Sequence, residues 1–315
     1  MIVVLTGGTG GAKFVDGLRR IVPPEELTII VNTGDDHEWW GLQVSPDIDS
    51  ITYILAGKLS SERGWGVHGD TFHCLQAMKE LGEPAWFSAG DRDLATHLLR
   101  TQLLNRGKTL AEATALIAEK FGVRSRILPM SNDRIETKIT TPNGEISFEE
   151  YFVQRHYQDP VIRVRFDGAA DAQPAPEVVD AIRDAANVLI APSNPVTSIG
   201  PILAVPGIRD ALAETAAQVV AVSPIIGNAA VSGPAATLMQ AVGFEPSIHG
   251  VCQAYREFVD VLVLDNSDGA MRNNQRTEGP KIECANILMR TLEQRTAVAR
   301  AVLAFAQQPV SIGAQ

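Results

Sequence analysis

Residues 1–14 read MIVVLTGGTGGAKF. Ile2 to Leu5 is a run of branched apolar side chains, the pattern of a short strand buried on both faces. Gly7, Gly8, Gly10 and Gly11 follow, and a backbone without Cβ atoms can approach a ligand closely. Phe14, Val15, Leu18, Ile21 and Val22 then recur at helical spacing. A strand, a glycine loop and a helix N-terminus in that order gather free backbone N–H groups at one point, which suits an anion. A phosphate-bearing ligand is therefore expected. The plainer alternative is a tight strand-to-helix turn with no ligand.

Strand and helix patterns alternate outward from this start. Leu27 to Val31 (LTIIV) reads as a second strand. Helices are expected over Asp49–Ala56, Asp70–Leu81, Asp91–Asn105 and Leu110–Phe121. The rhythm returns at Val188–Ile190, Ile208–Ala217, Val219–Val222, Ala235–Val242 and Val259–Leu264, and a last long helix runs from about Leu288 to Gln307. This predicts an α/β fold: a Rossmann-like, mostly parallel sheet with helices on both faces, as one domain over residues 1–315. One stretch breaks the rhythm. Ile135–Thr141 and Glu145–Phe148 flank Pro142-Asn143-Gly144, a hairpin signal, and Val161–Phe166 adds a strand. Residues 91–170, two helices and then antiparallel strands, read as an inserted α+β lid. Ala169 to Pro176 resembles a linker, and the tail VSIGAQ is expected to be loose.

The chain has 315 residues, of which 45% are hydrophobic, and a formal net charge of −10. That length suits one large α/β domain or a domain with an insertion. The acidic balance argues against nucleic acid as a partner, since that needs a basic footprint. Cys74, Cys252 and Cys284 are few and far apart, with no zinc spacing and no disulfide framework, so a reducing cytoplasmic setting is expected. No apolar run approaches the ~18 residues of a membrane span, and no signal-peptide pattern opens the sequence.

The glycine loop is close to two known anion loops and matches neither. Lys13 stands where the third glycine of a dinucleotide fingerprint belongs, and Ala12 and Phe14 flank it where a P-loop has other residues. A dinucleotide enzyme also needs an acid near the end of the second strand, where this chain has Asn32. The acids come later: Asp35, Asp36, Asp47 and Asp49. Helix capping accounts for some of them. An acidic protein that grips phosphates needs a cation against the repulsion, and hard divalent ions such as magnesium take carboxylate and phosphate oxygens. Trp65, between Gly64 and Gly66, suits stacking on a flat heterocycle or a place in the core. Asp91 and Arg92 open a helix that reads as a surface helix start, with Asp91 as its cap and His97 unconnected to Arg92. APSNPVTSIGP at residues 191–201 and SPIIGN at residues 223–228 follow two apolar strands directly, and their small polar side chains suit phosphate or sugar.

Taken together, GGTGGAKF, VNTGDD, SPDIDS, RGWGVHGDT, GDRDLATH, LPMSNDRIET, APSNPVTSIGPI and VSPIIGNAAVSGPA resemble the 2-phospho-L-lactate transferase family, called CofD in archaea and FbiA in actinobacteria. The motifs run in order from residue 1 to about residue 265. The resemblance implies a late step in making the deazaflavin carrier coenzyme F-420. The terminal ribityl hydroxyl of Fo attacks the phosphorus that bears a small acid in a guanosine diphosphate ester of lactate or enolpyruvate, and GMP leaves. It implies Mg2+ as cofactor and a homodimer. Carried over motif by motif, Thr9, Gly10, Gly11, Lys13, Ser193, Asn194, Thr197 and Ser198 are expected to hold nucleotide or phosphate. Trp65, Asp91 and Arg92 are expected at Fo, Asp36, Asp47 and Asp49 at the metal, and Asp36 and Asp49 in catalysis. The alternative is a non-catalytic nucleotide-sugar-binding regulatory protein of the related gluconeogenesis-factor branch. An NAD-dependent dehydrogenase is disfavoured by Asn32 and Lys13.

Overall fold

The computed structural model describes residues 1–227, 229–231, 233–274 and 279–307. Asn228 and Ser232 of the loop motifs, and the tail VSIGAQ, lie outside these residues. Seven strands form one parallel sheet: β1 (Ile2–Thr6), β2 (Leu27–Val31), β3 (Arg126–Pro129), β4 (Asn187–Ile190), β5 (Gln218–Val222), β6 (Val261–Asp265) and β7 (Lys281–Ala285). Their order across the sheet is β7-β6-β5-β4-β1-β2-β3. Winding reverses at β1, which pairs with both β2 and β4. Such a reversal opens a crevice at the carboxyl ends of the two central strands.

The helices are α1 (Gly8–Leu18), α2 (Pro46–Leu55), α3 (His73–Glu80), α4 (Asp91–Asn105), α5 (Leu110–Lys120), α6 (Val178–Arg183), α7 (Ile199–Ala204), α8 (Ile208–Glu214), α9 (Ala235–Ala241), α10 (Ile248–Tyr255) and α11 (Leu292–Ala306). Alternation along the strands feeds two cores. Val3, Leu5 and Ile30 face a core shared with α6, α7, α8 and α10, while Val4, Ile29 and Val31 face one shared with α1, α2 and α11. Apolar side chains on both faces make these strands read as unbroken hydrophobic runs. Among the described residues no helix is long and apolar enough to cross a membrane.

Several boundaries differ from the sequence reading. The helix expected from Asp49 starts at Pro46, a residue suited to the first turn. The helix expected from Asp70 starts at His73, and that expected from Leu288 starts at Leu292 behind a Thr291–Gln294 capping box. Two edge strands, RILP of β3 and KIECA of β7, had no reading. Residues 91–170 contain α4 and α5, then β3 of the main sheet, then an antiparallel unit in the order Gly144–Ser147, Glu136–Thr141, Arg163–Asp167.

Helices α1 and α11 cross so closely that a Cβ on Gly17 would fall 2.2 Å from the carbonyl oxygen of Arg295. Alanine for glycine inside a helix normally gains about 1 kcal/mol. Here overpacking should win, and Gly17→Ala should cost about 1–3 kcal/mol. Urea unfolding checks the sign: a midpoint unchanged or raised in the variant would contradict this packing.

Candidate active site

The crevice is built by two loops that interlock. Ser193 Oγ donates to the Gly7 carbonyl at 2.7 Å, and the Gly7 N–H reaches Ser193 Oγ at 3.3 Å. A Cβ on Gly10 would lie 2.6 Å from the Pro192 carbonyl oxygen, and one on Gly11 would lie 2.7 Å from Ser193 Oγ. These two glycines therefore serve the approach of the loops to each other. A cavity of about 850 Å³ opens over this junction, lined by Thr9, Gly10, Lys13, Ser193, Asn194, Thr197 and Ser198 among others, with Gly11 packed behind it. Asn194 Oδ1 accepts from the N–H groups of Val196 and Thr197 and sets the turn. Lys13 is half-buried, and burial, then the charge of Arg295, lower its pKa.

Beside the junction stand four carboxyl groups, Asp35, Asp36, Asp47 and Glu149. Asn32 Nδ2 donates to Asp35 Oδ2 and to Asp47 Oδ2, each at 3.0 Å. Asp47 Oδ1 accepts the Gly8 N–H at 2.6 Å, at the N-terminus of α1. Ser45 Oγ donates to Asp36 Oδ2 at 2.6 Å. Asp35, Asp47 and Glu149 line the cavity; among the described residues none of these three forms an ion pair with a basic side chain. Burial, followed by the charge of Asp47, raises the Asp35 pKa well above the usual range, and burial does the same for Asp36. Burial also raises Asp47 against its bonds to Asn32 and Gly8. Glu149 is lifted to about 8 by burial and by the charges of Asp47 and Asp36. Asp35 Oδ1 and Asp36 Oδ1 are buried and make no hydrogen bond. Dry carboxylates with unused oxygens and no paired base suit a hard divalent cation that takes two of them and completes its shell with phosphate oxygens; among the described residues no three of these carboxyls bring an oxygen each within 4.8 Å of one another.

Asp49 stands apart from this group. The Arg100 guanidinium grips both of its oxygens, with Nη1 3.1 Å from Oδ2. Burial works to raise Asp49, but Arg100 outweighs it and holds the carboxyl below its usual range. The structure thus places Asp36 and Asp47 in the unpaired cluster and Asp49 in an ion pair. Trp65 is half-buried on the cavity wall, with the Arg63 guanidinium 5.4 Å from its ring centroid. Asp91 and Arg92 are not on that wall. Asp91 accepts from the Cys74 N–H at 2.9 Å and the His73 N–H at 3.1 Å, and so caps α3. In return Asp70 accepts from the N–H groups of Arg92 and Asp93 and caps α4. Each aspartate caps the other's helix, where the sequence reading had Asp91 capping its own. The Arg92 guanidinium is exposed, 3.3 Å from the His68 carbonyl.

The pattern that defines the family described as 2-phospho-L-lactate transferase CofD matches residues 2–302. The chain belongs to the CofD family. It is 42% identical to a 2-phospho-L-lactate transferase of Methanosarcina acetivorans, over 96% of this chain and 98% of that protein. A 2-phospho-L-lactate transferase of Methanococcoides burtonii is also 42% identical, over 93% of this chain and 95% of the relative. A phosphoenolpyruvate transferase of Streptomyces coelicolor is 40% identical over 98% of each chain. A crystal structure of a Bacillus halodurans protein, described elsewhere as a member of the UPF0052 family, superposes with a TM-score of 0.63 at 19% identity, covering 96% of this chain and 98% of that one. That likeness bears on the fold. The CofD chain is a transferase, and the family's reaction type is movement of a phosphorylated small acid.

Sequence reasoning missed Glu149, Tyr53, Asp93, His97 and Arg100 at this site. Asp93, His97 and Arg100 had a usable signal, since they lie at i, i+4 and i+7 and share a helix face. Glu149 follows a hairpin and had none.

The four raised carboxyls have a consequence for stability. A carboxyl raised in the folded state binds its proton more tightly than in the unfolded chain, where it titrates near ~4. Stability is then full below that pH and is lost as pH rises toward the folded value. Thermal unfolding in EDTA should show the metal-free protein weakening from pH 5 to pH 8.5. Glu149→Gln should flatten the upper part of that decline and melt higher than wild type at pH 8.5. Identical pH profiles would show that the Glu149 charge is not felt.

Proposed function

We propose that this enzyme transfers a 2-phospholactyl or phosphoenolpyruvyl group from a guanosine diphosphate ester to the terminal ribityl hydroxyl of Fo, releasing GMP. The observation that carries the reading is one cavity in which a glycine-loop junction, an unpaired carboxyl cluster and an aromatic wall adjoin. A diphosphate suits the junction, where α1 presents its N-terminus and Lys13 its ammonium. A flat deazaflavin suits Trp65 and Phe87, which both line the cavity. The relatives named for lactate and for enolpyruvate are about equally similar to this chain, so both donors belong in the test.

Asp35 and Asp47, joined through Asn32, are the residues that would hold magnesium, with Asp36 and Glu149 nearby; Asp49 is committed to Arg100. A magnesium ion bound there would offset the repulsion between these carboxylates and the phosphate oxygens. The chain's own part is positioning and charge placement, as in phosphoryl transfer generally. The hydroxyl oxygen forms a bond to the acid-bearing phosphorus, the bond to the GMP oxygen breaks, and the hydroxyl proton passes to the carboxyl cluster. We propose further that the enzyme is a homodimer.

Purified protein incubated with Fo, magnesium and each guanosine diphosphate ester should give the Fo phosphodiester and GMP, read by mass spectrometry. Asp47→Asn should lower turnover by more than about 100-fold, since it removes a charge from the metal-binding group and alters the contact to Gly8. A loss under about tenfold would contradict this role. Protein that binds a guanosine diphosphate ester but makes no product with either donor would point to the regulatory branch instead.

A further inference from the structure

Lys13 lines the cavity although a carboxylate stands one helical turn away from it. Asp16 follows Lys13 on α1 at i+3, a spacing that makes opposite charges neighbours on a helix. Asp16 is 4% exposed, so water screens its charge poorly and its pull on a nearby ammonium is strong. Yet among the described residues Lys13 forms no ion pair. It is half-buried, and after burial the charge of Arg295 is what opposes its ammonium.

Asp16 is already taken. Arg19 Nε donates to its Oδ1 at 2.8 Å, and Arg20 Nη2 stands 3.6 Å from the same oxygen. Both arginines follow α1 directly. Oδ2 is met from the other helix: Arg295 Nη1, on α11, donates to it at 2.9 Å. That reach depends on the close crossing at Gly17, which sets the Arg295 backbone against α1. Without Arg295, Oδ2 would be a buried acceptor that has lost its cation. Lys13 is one turn away with its ammonium uncommitted, and its flexible stem would let it swing there. The cavity would then lose its ammonium to a carboxylate inside the helix pair. Repulsion between the guanidinium and the ammonium works in the same direction, toward the cavity.

We infer that Arg295 is a positioning residue for the donor's diphosphate: it holds Asp16 Oδ2 and so leaves Lys13 free to meet the phosphates. This rests on the reading of the glycine junction as the diphosphate site. The acceptor should not feel it, since neither Asp16 nor Arg295 lines the cavity.

The test compares wild type with Arg295→Met, Arg295→Lys, and Arg295→Met combined with Asp16→Asn. Calorimetry with magnesium present gives the affinity for guanosine diphosphate, and turnover gives KM for the donor ester and for Fo. Arg295→Met should weaken guanosine diphosphate and raise the donor KM at least about tenfold, the weight of one charged hydrogen bond to phosphate, with the KM for Fo unchanged. Arg295→Lys keeps a cation for Asp16 and should recover most of the loss. So should the double variant, which removes the carboxylate that captures Lys13. A bridge that only fastened two helices would leave the double variant as weak as the single one, and that result overturns the inference. Unchanged affinity in Arg295→Met overturns it too, as do equal changes in both KM values. Should Arg295→Met fail to fold, Arg295→Gln, whose amide can still donate to Asp16 but carries no charge, takes its place with the same rescue by Asp16→Asn. Binding of guanosine diphosphate needs no turnover. Wild-type protein that binds it but makes no product would remove the transferase reading and leave the affinity comparison to decide this one. Wild-type protein that binds none overturns the diphosphate site and this inference with it.

Discussion

A single buried carboxamide ties the site together. Asn32, at the end of β2, sends its Nδ2 to Asp35 Oδ2, to Asp47 Oδ2 and, at 3.3 Å, to the Thr197 carbonyl, while its Oδ1 accepts the Gly34 N–H at 2.8 Å. Two hydrogens thus serve three acceptors from three different segments: the loop after β2, the start of α2 and the loop after β4. An acid at this position, as a dinucleotide enzyme would have, could donate to none of them while ionised. The residue that argues against a dinucleotide enzyme is therefore also the one that brings two carboxylates together at the sheet's switch point.

Charge is divided unequally on the two sides of that amide. Asp35, Asp36, Asp47 and Glu149 are desolvated and repel one another, and all four have their pKa raised. Asp49 and Asp93 are met by Arg100 and His97. Removing water from a carboxylate without pairing it costs several kcal/mol. Such a group within reach of a cavity suits the cation proposed to arrive with the donor. The paired side has no such need, and it can meet neutral hydroxyl groups without a counterion. The two sides together match a reaction in which a charged donor meets an uncharged nucleophile.

Much of the fold was legible because its signals are local and periodic. MIVVL, LTIIV and the helix patterns between them gave the parallel sheet, and Pro142-Asn143-Gly144 gave the hairpin. The edge strands RILP and KIECA are short and carry charge, so no period marked them. The site was legible in part. The glycine junction, Asp36, Asp47 and Trp65 lie where a strand end or a loop would put them. Asp91 and Arg92 sit outside the cavity because a helix-cap exchange between residues far apart in sequence claims Asp91. His97 read as part of a surface helix start and Arg100 had no reading, because their partner, Asp49, lies on another helix and only the fold brings it near. Family resemblance supplied the reaction, which the residue chemistry alone had narrowed no further than a phosphate-bearing ligand and a cation.

The most direct measurement is a crystal structure with guanosine diphosphate and manganese in place of magnesium, using anomalous scattering to find the ion. A manganese peak is expected beside Asp35 and Asp47, with the diphosphate over Gly8, Gly10 and Lys13. A peak between Asp49 and His97, or a diphosphate bound away from the glycine junction, would contradict it.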